Sequence, residues 1–278
     1  MPLVQTTRAG LEALLRVRQL DRTLSSSLPP LDPYDEYAVG ATGVTTLDAI
    51  VGGGFPRGQL SEITGARSSG RASLVLRLLA SATARGELVA LVDALDMLDV
   101  ESASAAGVAL DRLLWIRGDV VAHPGLCHDI NPRAMERAIR ALSLVLTAGH
   151  FGLVVFDAGE APARALARLP FTTWLRLQRM VEGCQTICVL VGSEPMARSA
   201  AGITVQVRRA EGRAEGRAEG RGQRGEGMAE GRERGTRGAT FSGRSFEGFE
   251  IEARVVRASA RTREDASAAL VTRAVPHV

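Results

Sequence analysis

Residues 65 to 73 read Gly65-Ala66-Arg67-Ser68-Ser69-Gly70-Arg71-Ala72-Ser73, keeping both glycines of G-x-x-x-x-G-K-[ST] and changing its two chemical positions. In that pattern successive backbone N–H groups cradle phosphates, a Lys ammonium reaches the β/γ oxygens, and a hydroxyl faces Mg²⁺. Arg71 and Ala72 hold the last two places. Arg keeps the charge, but as a planar fork on a different stem it does not replace a point charge conservatively. Ala72 has no oxygen, and Ser73 falls about 100° further around any helix that starts here. The expected site is therefore a degenerate phosphate loop made of Gly65, Ser68, Ser69, Gly70, Arg71, Ala72 and Ser73. Weak ATP or anion binding at the helix N-terminus after Gly70 is its only cofactor expectation, and no metal is expected.

The flanks give this loop the context that the motif requires. Thr46 to Thr64 reads as a short helix, a Gly-rich turn with Pro56, and a strand entering Gly65. Leu74 to Ala84 then alternates apolar and polar residues at helical spacing. Further strands are expected near 87–93, 113–116, 152–157 and 186–192, with helices near 70–85, 99–107, 132–148 and 171–183. Strands alternating with helices predict an α/β fold, a mostly parallel central sheet with helices on both faces. Asn131 followed by Pro132 reads as a helix start, and Met135, Ile139, Leu142 and Leu146 as its buried stripe.

Four ordered blocks carry a resemblance to the RecA recombinase family. They are the lead-in LDAIVGGGFPRGQLSEITG, the loop GARSSGRAS, residues 88–118 from LVALVDALD to IRG, and GLVVFDAG at 152–159. The resemblance covers most of residues 1–209 and resumes at Phe249 to Ala260, and it implies a RecA-like phosphate-loop core. It also assigns roles. Asp157, closing the apolar run Leu153 to Phe156, matches the Walker B carboxylate that holds Mg²⁺. Where active members read Asp-Ala-Glu and the Glu activates water, this chain reads Asp93-Ala94-Leu95, and a leucine cannot orient or deprotonate water. The family's sensor position, usually Gln, falls in Gly192-Ser193-Glu194. The second DNA loop corresponds to Gly192 to Ala201, which has one Arg, one Glu and no aromatic for base stacking. The family's separate C-terminal domain is expected to be absent.

A RecA-like chain lacking the loop Lys, the catalytic Glu and long DNA loops resembles the ImuA type, the RecA-related member of a damage-inducible mutagenesis cassette. That implies a non-hydrolysing accessory role in translesion synthesis and SOS mutagenesis. The implied partners are an inactive, ImuB-type Y-family polymerase, a specialised DNA polymerase and RecA, with DNA a further possibility. Residues 5–20 form an amphipathic pattern with Leu11, Leu14, Leu15 and Leu20 on one side, and Leu11, Leu14 and Leu15 are the partner-binding candidates. Two other readings stand beside this one: an ATP-dependent, DNA-binding recombination protein, and a nucleic-acid-binding regulator of RecA.

Composition sets bounds. A chain of 278 residues that is 45% hydrophobic can bury a full α/β core. All 34 basic residues are Arg, which fits a G+C-rich genome, and a net charge of +3 gives no global argument for nucleic acid. Cys127, Cys184 and Cys188 are few and unpaired by spacing, as in a reducing cytoplasm. HPGLCHD at 123–129 matches no common metal spacing. No signal-type leader and no apolar run of about 18 residues is present, so a cytoplasmic location without membrane spans is expected.

Residues 210 to 238 repeat Ala-Glu-Gly-Arg, with seven Arg against six Glu and almost nothing for a core. The segment is expected to be disordered, an expansion of a hairpin loop between arms at Ile203–Arg208 and Phe249–Ala258. The organisation expected is thus an N-terminal helix and linker at 1–33, the RecA-like core at 34–209, the repeat insert at 210–240, and a final core strand with a flexible tail at 241–278.

Overall fold

A computed structural model of the chain describes residues 35, 37–118, 130–161, 166, 169–197, 202–210, 250–257 and 265–271. The expected leading helix with Leu11, Leu14 and Leu15, the HPGLCHD segment and the Ala-Glu-Gly-Arg repeat lie outside the described residues.

Apolar, β-branched runs form the strands. Leu60–Thr64 (β3), Val89–Asp93 (β4), Leu113–Arg117 (β5), Leu153–Asp157 (β6) and Ile187–Gly192 (β7) join in parallel, with Thr204–Arg209 (β8) parallel to β3. Glu250–Arg257 (β9) and Ser267–Val271 (β10) add antiparallel strands, giving the order β10-β9-β8-β3-β7-β6-β4-β5. Val39–Gly40 (β1) and Phe55–Pro56 (β2) pair separately. β4, β6 and β7 read as nearly continuous apolar runs because both faces of a parallel sheet are covered, and β3 is buried at every position although Ser61, Glu62 and Thr64 are polar.

Successive residues of each strand face opposite sides, so the sheet carries two cores. On one side Leu153, Val155, Val189 and Val191 meet Leu74, Val75, Leu78, Leu79 and Ala82 of helix α2, Arg71–Ala84, together with Leu47 of helix α1, Thr45–Ile50. Ala103 of the short helix α3, Val100–Ala105, joins the same core, and the Asp99 side chain accepts from Ser102 N–H to start that helix. On the other side Val154, Phe156 and Leu190 meet helix α4, Ile130–Ala148, and helix α5, Phe171–Val181. The stripe Met135, Ile139, Leu142 and Leu146 is buried there. Each such Leu or Met contributes about 1.5–3 kcal/mol by leaving water. Helix α4 begins at Ile130, one residue before the expected cap, so Asn131 and Pro132 fall inside its first turn, where Pro is tolerated.

The amino ends of the strands are fastened by one arginine. Arg57 donates to the Gln185 carbonyl at 2.7 Å and to Glu87 Oε1 at 2.5 Å, and Arg85 donates to Glu87 as well. Burial alone would raise the Glu87 carboxyl, but the hydrogen bonds and charges of Arg85 and Arg57 outweigh it and hold it below 4.5.

One expectation is corrected at the sheet edge. Residues 241–278, expected to hold one core strand and a flexible tail, contain a second strand, β10, whose residues pair from Ser267↔Arg254 to Val271↔Glu250. Its sequence, Ser-Ala-Ala-Leu-Val, is short and rich in Ala, so strand propensity is weak and pairing with β9 decides its conformation. The two expected hairpin arms do pair, antiparallel, as β8 and β9. No helix among the described residues is long and apolar enough to cross a membrane.

Candidate functional site at the carboxyl ends of the strands

The chemical positions converge because the strand ends are stitched together beyond the ladder. Asp93 stands opposite Asp157 in register, and Ala94 N–H donates to the Asp157 carbonyl at 2.9 Å. Gly65 N–H donates to the Gly192 carbonyl at 3.1 Å, tying the loop to the end of β7. This edge, where strand order reverses around β3, is where open α/β sheets bind ligands.

The loop itself turns tightly. Ser68 has φ +59° and Gly70, the residue before α2, has φ +94°. A Cβ at Gly70 would meet Ile251 Cδ1 of β9 at 2.1 Å, so glycine is required by both conformation and space. Ser69 N–H is spent on the Ala66 carbonyl at 3.2 Å, and Ser69 Oγ is buried with no hydrogen-bond partner among the described residues.

Arg71 opens α2 and is 8% exposed. One terminal nitrogen donates to the Gly65 carbonyl. The other donates to the Gly159 carbonyl at 3.1 Å and to Glu160 Oε1 at 2.8 Å. The guanidinium thus joins the loop to the segment after β6. Asp157 lies within its field but accepts instead from Gly159 N–H at 2.7 Å. Burial pushes the Asp157 carboxyl up to about 6, against the opposing pull of the Gly159 hydrogen bond and the Arg71 charge.

The remaining positions diverge from the site. Ala72 is exposed and carries no acceptor. Ser73 lines a different feature, a groove of about 780 Å³ bounded by Thr46, Arg77, Glu101, Ala269 and Val271. Its hydroxyl therefore does not replace the one missing at position 72. Leu95 is 1% exposed and packs in the core with Phe156 and Met135, its Cδ1 close beside Gly159. A Mg²⁺–nucleotide held in the ordinary way needs a free cation at 71, a hydroxyl at 72 and the aspartate at 157, and its hydrolysis needs a carboxylate at 95; of these four this chain has Asp157 alone. The residues present do not fit that group.

Two arrangements were not visible in the sequence. Glu62 is fully buried, and its Oε1 accepts from Met196 N–H at 2.7 Å and Ala197 N–H at 2.8 Å, while Oε2 accepts from Thr204 Oγ1. It therefore anchors the segment after β7, where the sensor and second DNA loop were expected. Glu160 was the other omission, and the unusual Arg at position 71 was the available signal, since a buried cation calls for a carboxylate. Among the described residues no His/Cys/Asp/Glu group is arranged to hold a metal.

Parallel order, a phosphate loop running from β3 into α2 and an aspartate closing β6 define a RecA-like α/β core. Residues 31–158 match the RecA N-terminal domain, so this stretch of the chain is similar to the RecA superfamily. The chain is similar to protein RecA of Streptomyces avermitilis, 34% identical over 130 residues, which are 46% of this chain and 31% of that protein. Protein RecA of Clavibacter michiganensis subsp. michiganensis is 35% identical over 131 residues, 47% of this chain and 32% of its own. A plasmid-borne protein RecA of Lactococcus lactis subsp. lactis is 32% identical over 121 residues, 43% of this chain and 31% of its own. The chain thus spans about a third of the length of the curated relatives it matches.

Proposed function

We propose that this chain is a non-hydrolysing RecA-like accessory protein of the DNA damage response, acting through protein–protein contacts rather than through turnover of nucleotide. The observation that supports this reading most is the fate of three chemical positions. The cation at 71 is bound to the protein's own acceptors, position 72 offers no hydroxyl, and position 95 is a core leucine. Positioned acid–base groups and electrostatic clamps do nearly all the work in phosphoryl transfer, so losing them together removes the reaction and leaves the scaffold.

The finer assignment, to the ImuA type, rests on the same departures. Its partners in this reading are an inactive Y-family polymerase, a specialised DNA polymerase and RecA, and its setting is translesion synthesis. The full chain, immobilised, should retain a purified inactive Y-family polymerase at micromolar concentration. Retention of RecA alone, with no polymerase bound, would favour the regulator of recombination instead.

A further inference from the structure

We propose that Glu160 is an internal anion standing in for phosphate: its pairing with Arg71 ties the loop to the segment after β6 and closes the site to external anions. The inference rests on the reading of the site as non-hydrolytic and extends it to how the site is kept shut.

Arg71 poses an electrostatic problem. A guanidinium cannot be deprotonated, and this one is buried at the first residue of a 14-residue helix, where unsatisfied N–H groups already make the field positive. A cation in that place needs an anion close by. Where a phosphate loop works as such, bound phosphates supply that charge. Here a carboxylate from the protein does so, at 2.8 Å from the Arg71 terminal nitrogen and with its side chain 29% exposed.

The change from the motif's Lys to Arg is what makes the tie possible. An ammonium is a point donor, whereas the fork of a guanidinium faces two directions at once. One nitrogen of Arg71 meets the Gly65 carbonyl, and the other meets Gly159 and Glu160. Gly65 opens the loop and Glu160 lies three residues past Asp157, so the fork spans the two strand ends that a bound nucleotide would otherwise bridge. The Ser69 N–H, turned onto Ala66, is likewise withdrawn from any incoming oxygen. A phosphate entering this site must displace the Glu160 carboxylate, and it meets the further negative charge of Asp157 once that group ionises.

The tie has a direct test with the full chain and two probes, inorganic pyrophosphate and Mg²⁺-free ATP, read by calorimetry and by the shift in melting temperature. Glu160→Gln frees Arg71 and should bind pyrophosphate about tenfold or more tighter than the wild type, since 1.4 kcal/mol of competing interaction corresponds to tenfold. Arg71→Lys keeps the charge but cannot span both acceptors, and should gain affinity in the same direction. Combining Arg71→Ala with Glu160→Gln should abolish the gain. Equal affinity in wild type and both single variants would overturn the proposal, as would a gain in Glu160→Gln that persists without Arg71. Phosphate release measured on the same proteins separates this from the functional reading. Turnover by the wild type contradicts the latter, whereas an inert wild type whose variants gain no affinity contradicts only the tie.

Discussion

Asp93 and Asp157 stand side by side in parallel register at the carboxyl ends of β4 and β6, yet their carboxylates live in different surroundings. Asp93 Oδ2 accepts from Leu98 N–H at 2.8 Å and from Trp115 Nε1–H at 3.3 Å. Among the described residues Asp157 accepts only from the N–H of Gly159, and burial raises it from 3.8 to about 6. Between those two values the folded protein holds a proton that the unfolded chain releases. The stability associated with Asp157 is therefore fully present below about pH 4 and is lost as pH rises through 6. Asp157→Asn should match the wild type near pH 4 and exceed it near pH 8 by about 1–2 kcal/mol, allowing for partial solvent access. Urea midpoints at the two pH values check this, and an equal loss at both would show that the carboxylate is needed in its charged form.

Restoring the family's carboxylate at Leu95 should not restore chemistry. Leu95 is buried in the core of the α4–α5 face, so Leu95→Glu places a charge where no partner exists, at a cost of about 3–5 kcal/mol. The expected outcome is a large fall in the denaturation midpoint with no gain in phosphate release. A stable Leu95→Glu protein that hydrolyses ATP would mean that only one residue separates this core from an active one.

The buried Glu62 should matter to stability more than any surface ion pair. Three donors, Met196 N–H, Ala197 N–H and Thr204 Oγ1–H, depend on it. Glu62→Ala orphans two backbone N–H groups in a buried place and should cost about 2–4 kcal/mol. Hydrogen exchange provides the specific readout: the amides of Met196 and Ala197 should lose protection beyond the global effect.

Excising residues 212–247 should leave the sheet intact. Arg209 pairs with Ile251, and Ala210 N–H donates to the Glu250 carbonyl at 2.9 Å, so the ladder closes at the first residue of the repeat. Melting temperatures of the two proteins should agree within a few degrees, since about 1 kcal/mol moves the midpoint by about 2–4 °C at this size. A larger drop would assign the repeat a place in the folded structure.

What could be read from the sequence followed local periodicity and local motifs. Strands β3 to β7 and helices α2 and α4 lie within a few residues of their expected spans, because apolar runs and the Met135–Ile139–Leu142–Leu146 stripe carry the period of their element. The divergence of Ser73 from the loop follows equally from helix geometry. The Arg71–Glu160 contact spans 89 positions and Glu62–Met196 spans 134, and no local pattern encodes either. β10 was lost for a related reason: Ala268 and Ala269 carry little strand preference, and only β9 makes them a strand.

In the function proposed above, the core keeps the architecture of a phosphate-loop protein without its reaction. Steady-state phosphate release from ATP, with and without single-stranded DNA, on wild type and Asp157→Ala tests it most directly. Release at the background rate is expected in all four combinations. Turnover by the wild type that Asp157→Ala abolishes would contradict it.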